Sequence, residues 1–165
     1  MKTLALLMIV FACAATPAMA TPQRPDLIAY DGVLYELHTP QPNTNLPLES
    51  AWPERKDRPN LSERPNSPNS TACWRGYVAI WQIEDDTLYL AGLDAWQGDQ
   101  KADLKKLFPD NFKNGRVKAD WFTGGLSLHA DKDTSVALVF AKGKLTLSPN
   151  KILEGTGTNA PAPQN

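Results

Sequence analysis

Several β-prone runs recur along the chain, and in the clearest of them apolar and polar positions alternate with a period of two, the spacing that turns one side of a strand to a core and the other away from it. Residues 27–30 (LIAY) and 33–37 (VLYEL) are β-prone runs separated by Asp31-Gly32, and Asp-Gly readily supplies the positive φ angles that a two-residue hairpin turn needs. The densest passage is residues 73–83 (CWRGYVAIWQI), followed by the acidic trio Glu84-Asp85-Asp86 and a second run over 87–93. A three-residue loop across the trio sets Ile83 opposite Thr87, Trp81 opposite Tyr89 and Tyr77 opposite Leu93. That register gathers Arg75, Tyr77, Trp81 and Tyr89 on one face and Trp74, Val78, Ile80, Leu88 and Leu90 on the other. Both faces are apolar enough to be covered, as in a barrel, a sandwich or a sheet beneath a helix.

Residues 99–108 (DQKADLKKLF) form the one good helix candidate, with Asp99 as its cap and Pro109 beyond its end. Runs at 116–122 and 126–129 flank Gly124-Gly125 as a hairpin, which places Asp120 across from His129. Runs at 136–141 and 144–148 flank Lys142-Gly143, pairing Phe140 with Leu145 and Leu138 with Leu147. The pattern predicts a mainly β fold of about eight strands, with antiparallel hairpins forming a partial barrel or two-layer sandwich and one short helix. The long irregular loop over 38–71 interrupts it, carrying seven of the chain's 14 prolines between Pro40 and Pro68. Leu46, Leu48 and Trp52 predict that its first half docks on the body, leaving 54–69 as the more mobile part. Residues 154–165 hold no core formers and read as a disordered tail, so 21–153 is one β-rich domain.

The N-terminus changes the picture of where such a domain works. Lys2, the apolar run at 3–11 (TLALLMIVF) and the small-x-small site Ala18-Met19-Ala20 make residues 1–20 a secretory signal peptide. The expected destination is the periplasm or the exterior. Acylation of Cys13, in a sequence loosely like a lipobox, is the alternative and would anchor the chain to the envelope. No second apolar run reaches the length of a membrane-spanning helix. Removal of the signal leaves Cys73 as the one thiol, so no intramolecular disulfide is expected. The formal charge of −1 provides no basic field for a nucleic-acid backbone.

Candidate chemistry is sparse. His38 and His129 stand in no metal-ligand spacing, no phosphate or dinucleotide glycine pattern occurs, and no metal or cofactor is expected. Two constellations could support an unrecognised enzyme: Cys73, its thiolate favoured by Arg75, or His129 oriented by Asp120. Arg75, Tyr77, Trp81 and Tyr89 are residue types enriched where surfaces meet partners, and with Asp120 they form the candidate binding set.

The strings T-A-C-W-R-G-Y-V-A-x-W-x-I (71–83), L-Y-L (88–90) and V-x-A-D-W-F-x-G-x-L (117–126) resemble an uncharacterised family of small bacterial proteins, over about residues 30–147. The resemblance implies a bacterial source and carries no activity, substrate or site residue. At 125–129 (GLSLH) this chain departs from the family, which tends to carry a basic residue and a proline there, and this weakens the case for His129. The expectation is an exported, non-catalytic binding protein of the bacterial envelope, of inhibitor or immunity type, with an unknown protein or small-molecule partner. The alternatives are the enzyme above and a small-molecule carrier with an internal cavity.

Overall fold

A computed structural model describes residues 21–37, 46–129 and 135–149. The signal segment with Cys13, His38, the beginning of the Pro-rich loop and the C-terminal tail lie outside the described residues.

Among the described residues ten strands run in chain order: β1 (Asp26–Tyr30), β2 (Val33–Leu37), β3 (Tyr77–Glu84), β4 (Thr87–Gln97), β5 (Gln100–Lys101), β6 (Phe112–Lys113), β7 (Arg116–Lys118), β8 (Gly124–His129), β9 (Ser135–Ala141) and β10 (Lys144–Leu147). The order β10-β9-β8-β2-β1-β3-β4 closes through a β10–β4 contact into a seven-stranded barrel, with β5 and β7 also paired to β4 and β6 paired to β7. All pairings are antiparallel except β1–β3, where Leu27 pairs with Ile80 and Ala29 with Gln82. The mainly β class is as the alternation predicts, and of the two architectures expected it is the barrel that forms. Closure removes most free edges and leaves an interior that side chains must fill.

They fill it. Ile28, Tyr77, Trp81, Leu88, Leu90, Leu128, Leu138 and Phe140 are almost wholly buried, joined by Leu48 of the loop and Phe122 of the β7–β8 connection. The Asp31-Gly32 hairpin forms as expected, with Tyr30 opposite Val33. Phe140 faces Leu145 as predicted, but a bulge then pairs Leu147 with Val139 instead of Leu138, turning Leu147 outward.

Three expectations are corrected. The β3–β4 turn uses two residues, Asp85 and Asp86, both at positive φ, so Trp81 faces Leu90 and Gln82 faces Tyr89. A one-residue change of register flips every side chain, which sends Tyr89 outside and brings Leu88 and Leu90 in. A bulge at Ala91 then shifts the register again, so Ala79 faces Leu93 and Tyr77 faces Ala95 instead of the expected Leu93. Second, Gly124-Gly125 is not a turn but the start of β8, which pairs with β9. Asp120 is therefore separated from His129, whose strand partners are Glu36 and Ser135. Third, Gln100 and Lys101 fold back on β4, and the helix shrinks to α1 (Leu104–Leu107), with the Asp103 carboxylate capping Lys105 N at 2.9 Å.

Barrel closure depends on a tight contact between two turns. Leu88 N donates to Gly143 O at 2.8 Å, Leu145 N to Asp86 O at 2.8 Å, and Gly143 N to Phe122 O at 2.7 Å. A Cβ on Gly143, at φ 71°, would sit 2.5 Å from Ala119 O, whereas Gly32, at φ 74°, has open space around it. Both positions strain any other residue, but only Gly143 also adds a backbone clash. In chemical denaturation, Gly32→Ala is expected to cost about 1–2 kcal/mol, and Gly143→Ala roughly 1–3 kcal/mol more. Equal losses would show that the closure contact carries no steric demand.

Candidate functional site

Asp26 and Arg75, two buried charged side chains, meet at the barrel end where β1 and β3 begin. Alternation along β1 turns Asp26 inward two residues before Ile28, and its side chain is fully buried. Asp26 Oδ1 accepts from Arg75 Nη2 at 3.2 Å and from Ala79 N at 3.1 Å, while Trp81 Nε1 lies 3.5 Å from Oδ2. Arg75 stands just before β3, buried beneath the loop, and Nη2 also donates to Arg24 O at 2.8 Å. Its guanidinium lies 5.1 Å from the centre of the Tyr77 ring.

A second layer comes from the loop. Tyr77 Oη donates to Glu49 Oε1 at 2.6 Å. Arg58 forks onto Glu49, with Nε 3.1 Å from Oε2 and Nη2 3.1 Å from Oε1, and Nη2 also donates to Arg75 O at 2.6 Å. Two carboxylates and two guanidiniums thus compensate one another. Among the described residues one buried side-chain donor, Arg75 Nε, has no hydrogen-bond partner.

Burial pushes the Asp26 carboxyl above its ordinary range, and Arg75 and the Ala79 N–H oppose that rise. Burial, and then the Asp26 and Glu49 carboxylates, push the Tyr77 phenol far up, so it remains a hydrogen-bond donor at any working pH. Each member is engaged by another member, and none is poised as a nucleophile or general base.

The structure brings Arg75, Tyr77 and Trp81 together, as the sequence predicts, but inside the barrel rather than on a face open to a partner. Tyr89 is on the outer wall, its ring 3.9 Å from the Arg116 guanidinium, which is ion-paired with Glu84. Asp120 is exposed and accepts from Asn111 Nδ2 at 2.7 Å. His129 Nε2 lies 3.3 Å from Ser127 Oγ. Cys73 sits in a 3-10 turn rather than a strand, buried, with Sγ 3.4 Å from Tyr77 O. Burial and then the Glu63 carboxylate push its thiol up, with Arg24 and Arg75 opposing. Among the described residues no three His, Cys, Asp or Glu side chains are grouped to hold a metal ion.

The sequence reading missed Asp26, Glu49 and Arg58. Asp26 carried a signal, since the inward parity of the first hairpin extends back through it. Glu49 and Arg58 lie in a segment with no periodicity from which to read a facing.

Comparison with known protein families, curated proteins and solved structures finds no match to this chain.

A buried thiol with a raised pKa reacts slowly. Iodoacetamide at pH 7 is expected to leave Cys73 largely unmodified in the native protein and to label it fully after denaturation, as read by intact mass. Rapid native-state labelling would return Cys73 to the list of candidate nucleophiles.

Proposed function

We propose that the protein is an exported, non-catalytic binding protein of the bacterial envelope, of inhibitor or immunity type, that engages a partner protein through the outer wall of its barrel. The observation that carries this reading is an apolar strip left open across β2, β1 and β3. Leu34 pairs with Ala29 and Leu27 with Ile80, and Leu34 and Ile80 are 59% and 39% exposed. Gln82 joins Ala29 to Tyr89, and Tyr89 pairs with Lys118, so an aromatic ring and a charged edge flank the strip. An apolar centre with Tyr and Arg beside it and charges around it is the anatomy of a protein–protein contact. Of the residues expected to bind, Tyr89 belongs to this surface, and Arg75, Tyr77 and Trp81 support it from within.

The filled interior favours surface recognition over the carrier alternative, which needs an internal cavity. The engagement of Arg75 by Asp26 and the separation of Asp120 from His129 weigh against the two enzyme readings. Export rests on the N-terminal signal pattern.

Photo-crosslinking in exporting cells tests the reading. A photoreactive side chain at position 34 or 80 is expected to trap the same envelope protein, whereas one at Ala137, on the opposite wall, traps none. The intact mass of the exported chain is expected to place its N-terminus at Thr21. Equal trapping from all three positions, or none from 34 and 80, would contradict the proposed surface, and a lipid adduct on Cys13 would replace release with anchoring.

A further inference from the structure

A second surface feature is independent of the outer wall. Where the Pro-rich loop meets the β4–β5 turn, an open cleft of about 290 Å³ is lined by Asn60, Leu61, Asn66, Ser67, Pro68 and Gly98, with Ser62 and Asn69 completing its walls. The loop beneath it is held firmly. Ser62 N and O bond Trp96 at 2.8 and 2.7 Å, and Asn66 N donates to Gly98 O at 3.0 Å. Asn69 is fully used, accepting from Glu63 N at 3.0 Å and donating to Leu61 O and Trp74 O at 3.3 and 3.2 Å. Any side chain on Gly76 would drive into the Leu61 carbonyl and the Asn69 amide, so this glycine lets the loop seat against the start of β3.

The seated loop exposes Asn60, Asn66 and Ser67. Among the described residues no side-chain hydrogen bond engages Asn60, Asn66 or Ser67, although all three line the same cleft. No lining residue is ionisable. The neighbouring Glu63 carboxylate is turned to Ser70 N and Arg24 Nη1, at 3.4 and 3.3 Å. Leu61 is buried under the cleft, and the exposed Pro68 ring is its accessible apolar side chain.

Two free amides and a hydroxyl beside an exposed proline ring suit a ligand whose polar groups both donate and accept, whose net charge is zero and which has an apolar flank. We propose that this cleft binds a neutral saccharide unit, with its hydroxyls paired to Asn60, Asn66 and Ser67 and a C–H face laid on Pro68. Each amide offers a carbonyl acceptor and two N–H donors, a match for adjacent hydroxyls that each do both. The absence of a charged lining residue disfavours phosphate and carboxylate ligands. None of the lining residues lies within a named strand, so the cleft itself offers no ladder for an extended peptide to join. An open site of this size with a few neutral hydrogen bonds is expected to hold one or two rings with a Kd on the order of 1 mM.

Heteronuclear NMR on the folded, isotope-labelled protein reads the site directly. Di-N-acetylglucosamine and maltose serve as neutral probes, with inorganic phosphate and a capped trialanine peptide as comparators. At least one disaccharide is expected to shift the Asn60 and Asn66 side-chain amides and the Ser67 and Gly98 backbone signals, with little effect elsewhere. Asn66 lies at φ 49°, so Asn66→Gly removes the amide without straining the backbone, and Asn60→Ala is made at an exposed position. The double variant is expected to retain the dispersed spectrum of the fold and to bind about tenfold more weakly or worse. Ile80→Asp, on the outer wall, is expected to leave the saccharide response unchanged, which separates this site from the proposed protein contact. No response to either disaccharide, an undiminished response in the double variant, or a stronger response to phosphate or peptide would overturn the proposal.

Discussion

The Asp26–Arg75 pair is the interaction on which the arrangement of this barrel end depends. Taking both charges out of water costs several kcal/mol per ion even after relaxation, and their attraction repays that cost only with good geometry and further hydrogen bonds. Here the further bonds come from three separate places. The carboxylate takes the Ala79 N–H beside the parallel β1–β3 ladder and approaches the Trp81 indole inside the barrel, while the guanidinium reaches the Arg24 carbonyl. One buried carboxylate therefore joins the start of β1, the start of β3 and the core tryptophan. Removing either partner leaves the other buried and uncompensated, so the pair ties the two strand starts into one arrangement.

The loop is fixed as a consequence. Arg58 reaches the Arg75 carbonyl and Glu49 holds the Tyr77 hydroxyl, so the excursion closes over the barrel end through polar contacts that its irregular sequence does not announce. Beyond that second layer, Leu61 is buried and Ser62 forms a bridge to Trp96. Residues 54–69, expected to be the more mobile half, are thereby anchored at several points. With side chains packed inside the barrel and this end latched, the two surfaces proposed for recognition are the apolar strip on the outer wall and the amide-lined cleft of the loop.

Much of the fold was legible, and the failures share a cause. Asp31-Gly32 and Lys142-Gly143 reveal their hairpins because so few residues take positive φ readily, and the turn then sets the register. Asp85-Asp86 also takes positive φ, but a third acidic neighbour made a longer loop equally readable, and that one residue decided which side of the barrel Tyr89 occupies. Asn114-Gly115, a strong turn signal, joins two strands of two and three residues, runs too short to show alternation. Gly124-Gly125 has the composition of a turn but enters a strand, because its pairing with Val139 and Phe140 lies far along the chain. In the site, Arg75, Tyr77 and Trp81 were legible as one set by parity, while their partners Glu49 and Arg58 come from a segment whose conformation is set by tertiary contacts.

A double-mutant cycle on Asp26 and Arg75, read by chemical denaturation at neutral pH, tests the account most directly. Asp26→Ala and Arg75→Ala should each cost about 3–5 kcal/mol, and the double variant should fall short of their sum by roughly 1 kcal/mol or more. Single losses that add to within about 0.5 kcal/mol would mean that the two residues do not act as a unit, contradicting their role as the latch of the barrel end.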